Sequence, residues 1–123
     1  MPKVLAKEAG DGVTMPPGQE AEARRFYGQL LGLREVMKPA GERGCWFQTS
    51  EGLFKVTPDP AFVQRSQTEP LARFRIDKAE AMRMALDKAR FRHYDAPHVV
   101  GTRGFYAHDA WGNRIELRER PNG

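Results

Sequence analysis

A chain of 123 residues, 40% hydrophobic and 29% charged, suffices for one soluble domain, and it has no run of about 20 apolar residues to form a membrane-spanning helix. Its net charge of +4 comes from scattered lysines and arginines; with no basic block and no cysteine-histidine finger, the expected partner is an anionic small molecule rather than nucleic acid. The single cysteine, Cys45, has no partner for an internal disulfide, and "MPKVLAKEAGDG" lacks the apolar core of a signal peptide, so the cytoplasm is the expected location.

In chain order, Val13 to Met15 reads as a short strand that "PPG" ends, because Pro17 lacks a backbone donor and Gly18 permits a turn. "EAEARRFYGQLLG" has helical period. Ala23, Phe26, Tyr27, Leu30 and Leu31 share its apolar face, Glu22, Arg25 and Gln29 face water, and Gly32 is placed to end it in a left-handed conformation. "LREVMK", "GCWFQT" and "LFKVT" then read as three strands. A polar, turn-prone stretch, "PDPAFVQRSQTEP", follows as a crossing loop at about residues 59–69.

The second half repeats the plan. "LARFRI" alternates as a strand, Asp77 is positioned to cap a helix with Glu80 completing a capping box, and Met82, Ala85, Leu86 and Ala89 form the helix's buried stripe. "FRHYDA", "TRGFYAHD" and "NRIELRE" supply three more strands. The pattern predicts an α+β domain spanning residues 1–123, built from two βαβββ modules at about 8–58 and 70–119.

Strand alternation assigns the faces. Ile115 and Leu117 should lie under a helix, with Arg114, Glu116 and Arg118 opposite; Phe54 and Val56 oppose Leu53, Lys55 and Thr57; Phe74 and Ile76 oppose Leu71, Arg73 and Arg75. The second faces mix charge with apolar groups, as the lining of a cleft would. Arg73 and Arg75 present planar donor forks suited to carboxylate or phosphate. Trp46, Phe47, Tyr106 and Trp111 offer area for a ring system. Core packing competes for Trp46 and Phe47, and Trp111, at a turn tip, either caps the core or borders an opening. Glu116 either cancels a neighbouring cation, Lys55, Arg73 or Arg114, or holds a polar part of a ligand.

Three stretches, "PPGQEAEARRFYGQLLGLREVMKP", "GCWFQ" and "RGFYAHDAWGNRIEL", together resemble the vicinal oxygen chelate superfamily of glyoxalases, bleomycin-resistance proteins and ring-cleaving dioxygenases. The last is similar to the family's Asp-Pro-aromatic-Gly-Asn turn and apolar-Glu-apolar strand, with Ala110 in place of the proline and Trp111 as the aromatic. The resemblance implies paired βαβββ modules whose mixed sheets curl around a cleft, and a homodimer. It also implies one of two functions: a divalent metal held on four inward strand positions, or a metal-free cleft that sequesters a small molecule.

Carried over position by position, the family's metal-ligand places match Gly12, Lys55, Leu71 and Glu116. Only Glu116 offers a donor that a divalent cation accepts. The resemblance therefore implies a small-molecule-binding protein without a catalytic metal. Its anionic or aromatic ligand would be held by Lys55, Arg73, Arg75, Tyr106, Trp111 and Glu116, and Glu116 is also the candidate catalytic group. The alternative is a metal-dependent lyase, isomerase or dioxygenase of the glyoxalase type, its divalent metal held by an atypical set of Glu69, Glu116, His98 and His108. No nucleic acid or membrane partner is expected in either case.

Overall fold

The computed structural model describes residues 2–64, 69–96 and 103–119. Its elements are β1 (Val4–Ala9), β2 (Gly12–Met15), α1 (Glu20–Ala23) continuing as a π-helical stretch over Arg24–Leu30, β3 (Arg34–Val36), β4 (Cys45–Thr49), β5 (Gly52–Pro58), β6 (Ala72–Ile76), α2 (Ala79–Ala89), β7 (His93–Asp95), β8 (Arg103–His108) and β9 (Arg114–Glu119). Strand, helix and three strands thus occur twice, as the alternation predicts.

The strands form two sheets, β1-β6-β9-β8-β7 and β2-β5-β4-β3. This corrects the expectation of sheets curled around a cleft. Both sheets are open, with β1 and β7 as the edges of one and β2 and β3 as the edges of the other. The pairs β2–β5 and β6–β9 are parallel, and the remaining pairs antiparallel.

β1 is a second departure. "VLAKEA" does not alternate cleanly, yet it adds to the second half's sheet by pairing antiparallel with β6. The chain then crosses to the other sheet at Gly10, whose φ is +89°; a Cβ there would lie 2.3 Å from the Leu71 carbonyl oxygen. Only glycine meets both demands.

The first helix widens where the sequence suggested a regular helix, with the Leu31 N–H bonding the Phe26 carbonyl five residues back. Its apolar face is nevertheless the expected one, with Ala23, Phe26, Tyr27 and Leu31 fully buried, and Gly32 follows at φ +78°. Tyr27 packs on Phe54 at 5.2 Å, and Phe54 meets Phe74 edge-on at 5.2 Å, which joins the cores of the two halves.

The cap of α2 differs from the expected box. Lys78 is the N-cap residue and makes no side-chain capping bond. The Asp77 carboxylate instead accepts the Lys3 N–H at 2.9 Å, and the Ala79 N–H is satisfied by the Glu119 carboxylate at 2.9 Å. Helix start and last strand are thereby tied together. Ala72, Phe74, Ile76, Phe105, Ala107, Ile115 and Leu117 are buried, leaving the alternate positions of the same strands on the other face.

Candidate functional site

Register organises that other face. Arg73 pairs with Glu116, Glu116 with Tyr106, and Tyr106 with Tyr94. Four side chains therefore cross from β6 to β7 in one row, spanning roughly 14 Å at the usual strand spacing. In a flanking row Arg75 pairs with Arg118, and Arg118 with Gly104; on the other side Arg114 pairs with His108.

Glu116 is only 4% exposed, and its carboxylate is ion-paired with Arg118. Arg73 brings Nε to 3.5 Å from the Glu8 carboxylate of β1, near enough for charge attraction but not aligned as a hydrogen bond. The Nε of Arg75 is buried without a hydrogen-bond partner. The Arg114 guanidinium lies 4.8 Å from the Tyr106 ring centre and 5.7 Å from that of Tyr94, while Arg92 lies 5.0 Å from Tyr94. Such stacking holds a guanidinium in place through the ring's electron-rich face. Glu8, Arg92 and Tyr94 were absent from the sequence reading; alternation within "FRHYDA" was the available signal for Tyr94, whereas Glu8 depends on the unforeseen β1.

His108 is fixed by hydrogen bonds. Its Nδ1 is 3.0 Å from the Gly112 carbonyl oxygen, which can only accept, so Nδ1 carries the proton. Nε2 then accepts from the Tyr94 hydroxyl at 2.8 Å. Burial lowers the His108 pKa from the ordinary imidazole range, and the Arg92 and Arg114 charges act in the same direction. The neutral ring orients Tyr94 between its two arginines.

The other sequence-predicted residues fall elsewhere. Lys55 lies on the first sheet with Nζ 4.0 Å from the Trp46 ring centre, on the face opposite the buried Phe47. Trp111 is packed into the core cluster at 8% exposure. Its backbone N–H donates to Asp109, the buried carboxylate that also receives the Tyr27 hydroxyl and the Asn113 side chain. Glu69 is exposed. His98 lies outside the described residues.

The geometry also tests the implied metal. Within the parallel pairs, Gly12 faces Lys55 in one half and Arg73 faces Glu116 in the other. Lys55 is flanked by buried Phe54 and Val56 just as Glu116 is flanked by buried Ile115 and Leu117. The fourth position is therefore held by Arg73 and not by Leu71, which is 41% exposed just ahead of β6. Gly12, Lys55, Arg73 and Glu116 provide one carboxylate, two cations and no imidazole. That set does not fit a divalent ion. Among the described residues, no group of three or more histidine, cysteine, aspartate or glutamate side chains is arranged to hold a metal.

Solved structures match nearly the whole chain. One described as a glyoxalase family protein, from Bacillus anthracis, is 29% identical with a TM-score of 0.76, over 93% of this chain and 96% of that one. A glyoxalase/dioxygenase from Nostoc punctiforme is 21% identical with a TM-score of 0.69, over 94% and 92%. The chain has the fold of these glyoxalase and dioxygenase structures, the fold of the vicinal oxygen chelate superfamily that its sequence resembles.

The fold likeness extends to the fosfomycin resistance protein FosX from Listeria monocytogenes, 14% identical with a TM-score of 0.72 over 93% and 90%; a structure of a point mutant of that protein holds Mn(II) and 1S,2S-dihydroxypropylphosphonic acid. At that identity the likeness concerns the fold alone. No family profile matches the chain, and no curated protein matches it. The chain thus combines this architecture with basic side chains, Lys55 and Arg73, at two of the four positions that face each other across the parallel strand pairs.

Proposed function

We propose that the open face of the five-stranded sheet binds a small anionic molecule through the protein's own cations, without a resident metal. The observation that carries this reading is the charge pattern of the face. Arg73, Arg75, Arg114 and Arg118 stand in adjacent register positions around Glu116, with Glu8 as a second acid beside Arg73. With Arg92 beside Tyr94 the guanidiniums number five and outnumber the carboxylates of Glu116, Glu8 and Glu51, the last within charge range of Arg75, which leaves the face electropositive; Arg75 also brings a buried donor with no hydrogen-bond partner. Tyr94 and Tyr106, 5.7 Å apart and edge-on, supply apolar surface for a ring or short chain. Glu116, covered by its pairing with Arg118, acts as the counter-ion that sets the net charge of the face rather than as a general base. Lys55 over Trp46 offers similar cation–aromatic chemistry on the first sheet.

Titration with a panel of aromatic carboxylates and phosphonates tests this reading. A member of the panel should bind saturably, and Arg75→Gln should weaken it by about 1.5–3 kcal/mol, the range for a hydrogen bond to a charged group. Absence of saturable binding across the panel would contradict it.

We also propose a homodimer, since β1, β7, β2 and β3 are open sheet edges that a second copy can cover. Light scattering at micromolar concentration should give twice the 13.9 kDa chain mass, and a single-chain mass would contradict the assignment. No helix among the described residues is long and apolar enough to cross a membrane; we assign the protein to the cytoplasm, which fractionation of cells expressing it checks, with membrane-bound or secreted protein as the contrary result.

A further inference from the structure

A separate cavity of about 270 Å³ lies where the crossing loop meets the ends of both sheets. Among the described residues it is lined by Thr14 of β2, Asp59, Phe62 and Val63 of the loop, Leu71 before β6, and Asn113 before β9. Its chemistry is opposite to that of the arginine face, since none of these side chains is basic.

The polar groups lining it are chiefly acceptors. Asn113 spends both hydrogens of its amide nitrogen, one on the Thr14 carbonyl and one on the Asp109 carboxylate, each at 2.9 Å. Its side-chain oxygen remains as an acceptor. Asp59 uses one carboxylate oxygen for the Ala61 N–H at 2.9 Å, leaving the other. Its backbone is held on both sides, with the N–H on the Met15 carbonyl at 2.8 Å and the carbonyl on the Phe62 N–H at 2.9 Å. The carboxylate is therefore fixed in position. The Thr14 hydroxyl adds a further acceptor. The apolar lining, Val63 at 63% exposure and Leu71 at 41%, is unusually open for such residues.

One carboxylate, two neutral acceptors and an apolar lip suit a group with several donors, a positive charge and a short hydrocarbon. We infer that this cavity is a binding site for a small primary alkylammonium group. The ammonium places its three N–H donors on Asp59, Asn113 and Thr14, while the alkyl chain covers Phe62, Val63 and Leu71. The site does not depend on anion binding at the arginine face.

The test is a two-dimensional amide NMR titration with n-butylammonium chloride, and with sodium butyrate as the charge-reversed control. Butylammonium should shift the amides of Thr14, Phe62, Val63 and Leu71 saturably, and butyrate should leave them in place. Asp59→Asn keeps an acceptor for Ala61 while removing the charge, and should weaken butylammonium at least tenfold. Thr14→Val, at an exposed position, should weaken it by a smaller factor with the fold unchanged. No saturable shift at these amides, equal shifts with butyrate, or unchanged butylammonium affinity in both variants would each overturn the assignment.

Discussion

Asp109→Ala should cost roughly 3–5 kcal/mol of folding stability, a large share of the about 5–15 kcal/mol that ordinarily holds a domain folded. The Asp109 carboxylate is 5% exposed and accepts four hydrogen bonds: from the Tyr27 hydroxyl at 2.7 Å, the Asn113 side chain at 2.9 Å, and the backbone N–H groups of Trp111 at 3.0 Å and Asn113 at 2.9 Å. Removing it leaves buried donors with nothing to bond. The same carboxylate ties the π-helical stretch of the first half to the β8–β9 turn of the second, so its loss loosens the joint between halves. Tyr27→Phe removes one donor and leaves three, and should cost only about 1–2 kcal/mol.

Burial raises the Asp109 pKa despite these four bonds. The folded protein therefore takes up this proton at a higher pH than the unfolded chain does. Stability attributable to this group rises as the pH falls through its folded pKa and levels off below the ordinary carboxylate value, so it opposes acid unfolding. Urea unfolding from neutral to acidic pH checks both points. A loss below about 1 kcal/mol for Asp109→Ala would show that the network does not hold the halves together.

Glu116→Gln should have two opposite effects. Stability should fall by about 1–3 kcal/mol, because Arg118, its side chain 18% exposed, loses its counter-charge while staying largely covered. Affinity for a monoanion should rise about threefold or more, since the face loses a carboxylate while keeping all of its guanidiniums. Of the two roles that alternation leaves open for Glu116, holding a polar part of a ligand would make the same change weaken binding. The ion pair with Arg118 and the 4% exposure reverse that sign. Paired unfolding and ligand titration decide it: weaker anion binding with unchanged stability would return Glu116 to direct ligand contact.

Local periodicity made much of this architecture legible. Ala72, Phe74 and Ile76, and Ile115 and Leu117, could be assigned to the buried face because a strand reverses its side chains at every residue. That assignment placed Arg73, Arg75 and Glu116 together on the opposite face. What escaped was set by long-range contacts. "VLAKEA" becomes a strand by pairing with β6, some seventy residues away, and it brings Glu8 to Arg73. Asp77 looked like a cap, yet Glu119 arrives from the other end of the module to satisfy the Ala79 N–H. Trp111, at a turn between strands, could not be assigned to core or opening until the turn had folded over Asp109. Sheet curvature has no local signal at all, and the expectation of curled sheets came from resemblance.

The substitution of protein cations for a metal is tested most directly by calorimetric titration of chelator-stripped protein with the best-binding aromatic carboxylate or phosphonate, before and after adding back one equivalent of Zn(II) or Mn(II). The metal-stripped protein should bind with full affinity, the added ion should leave the affinity unchanged, and the Arg73→Gln variant should bind at least tenfold more weakly. Binding that appears only when the ion is restored, and that survives Arg73→Gln, would contradict the account.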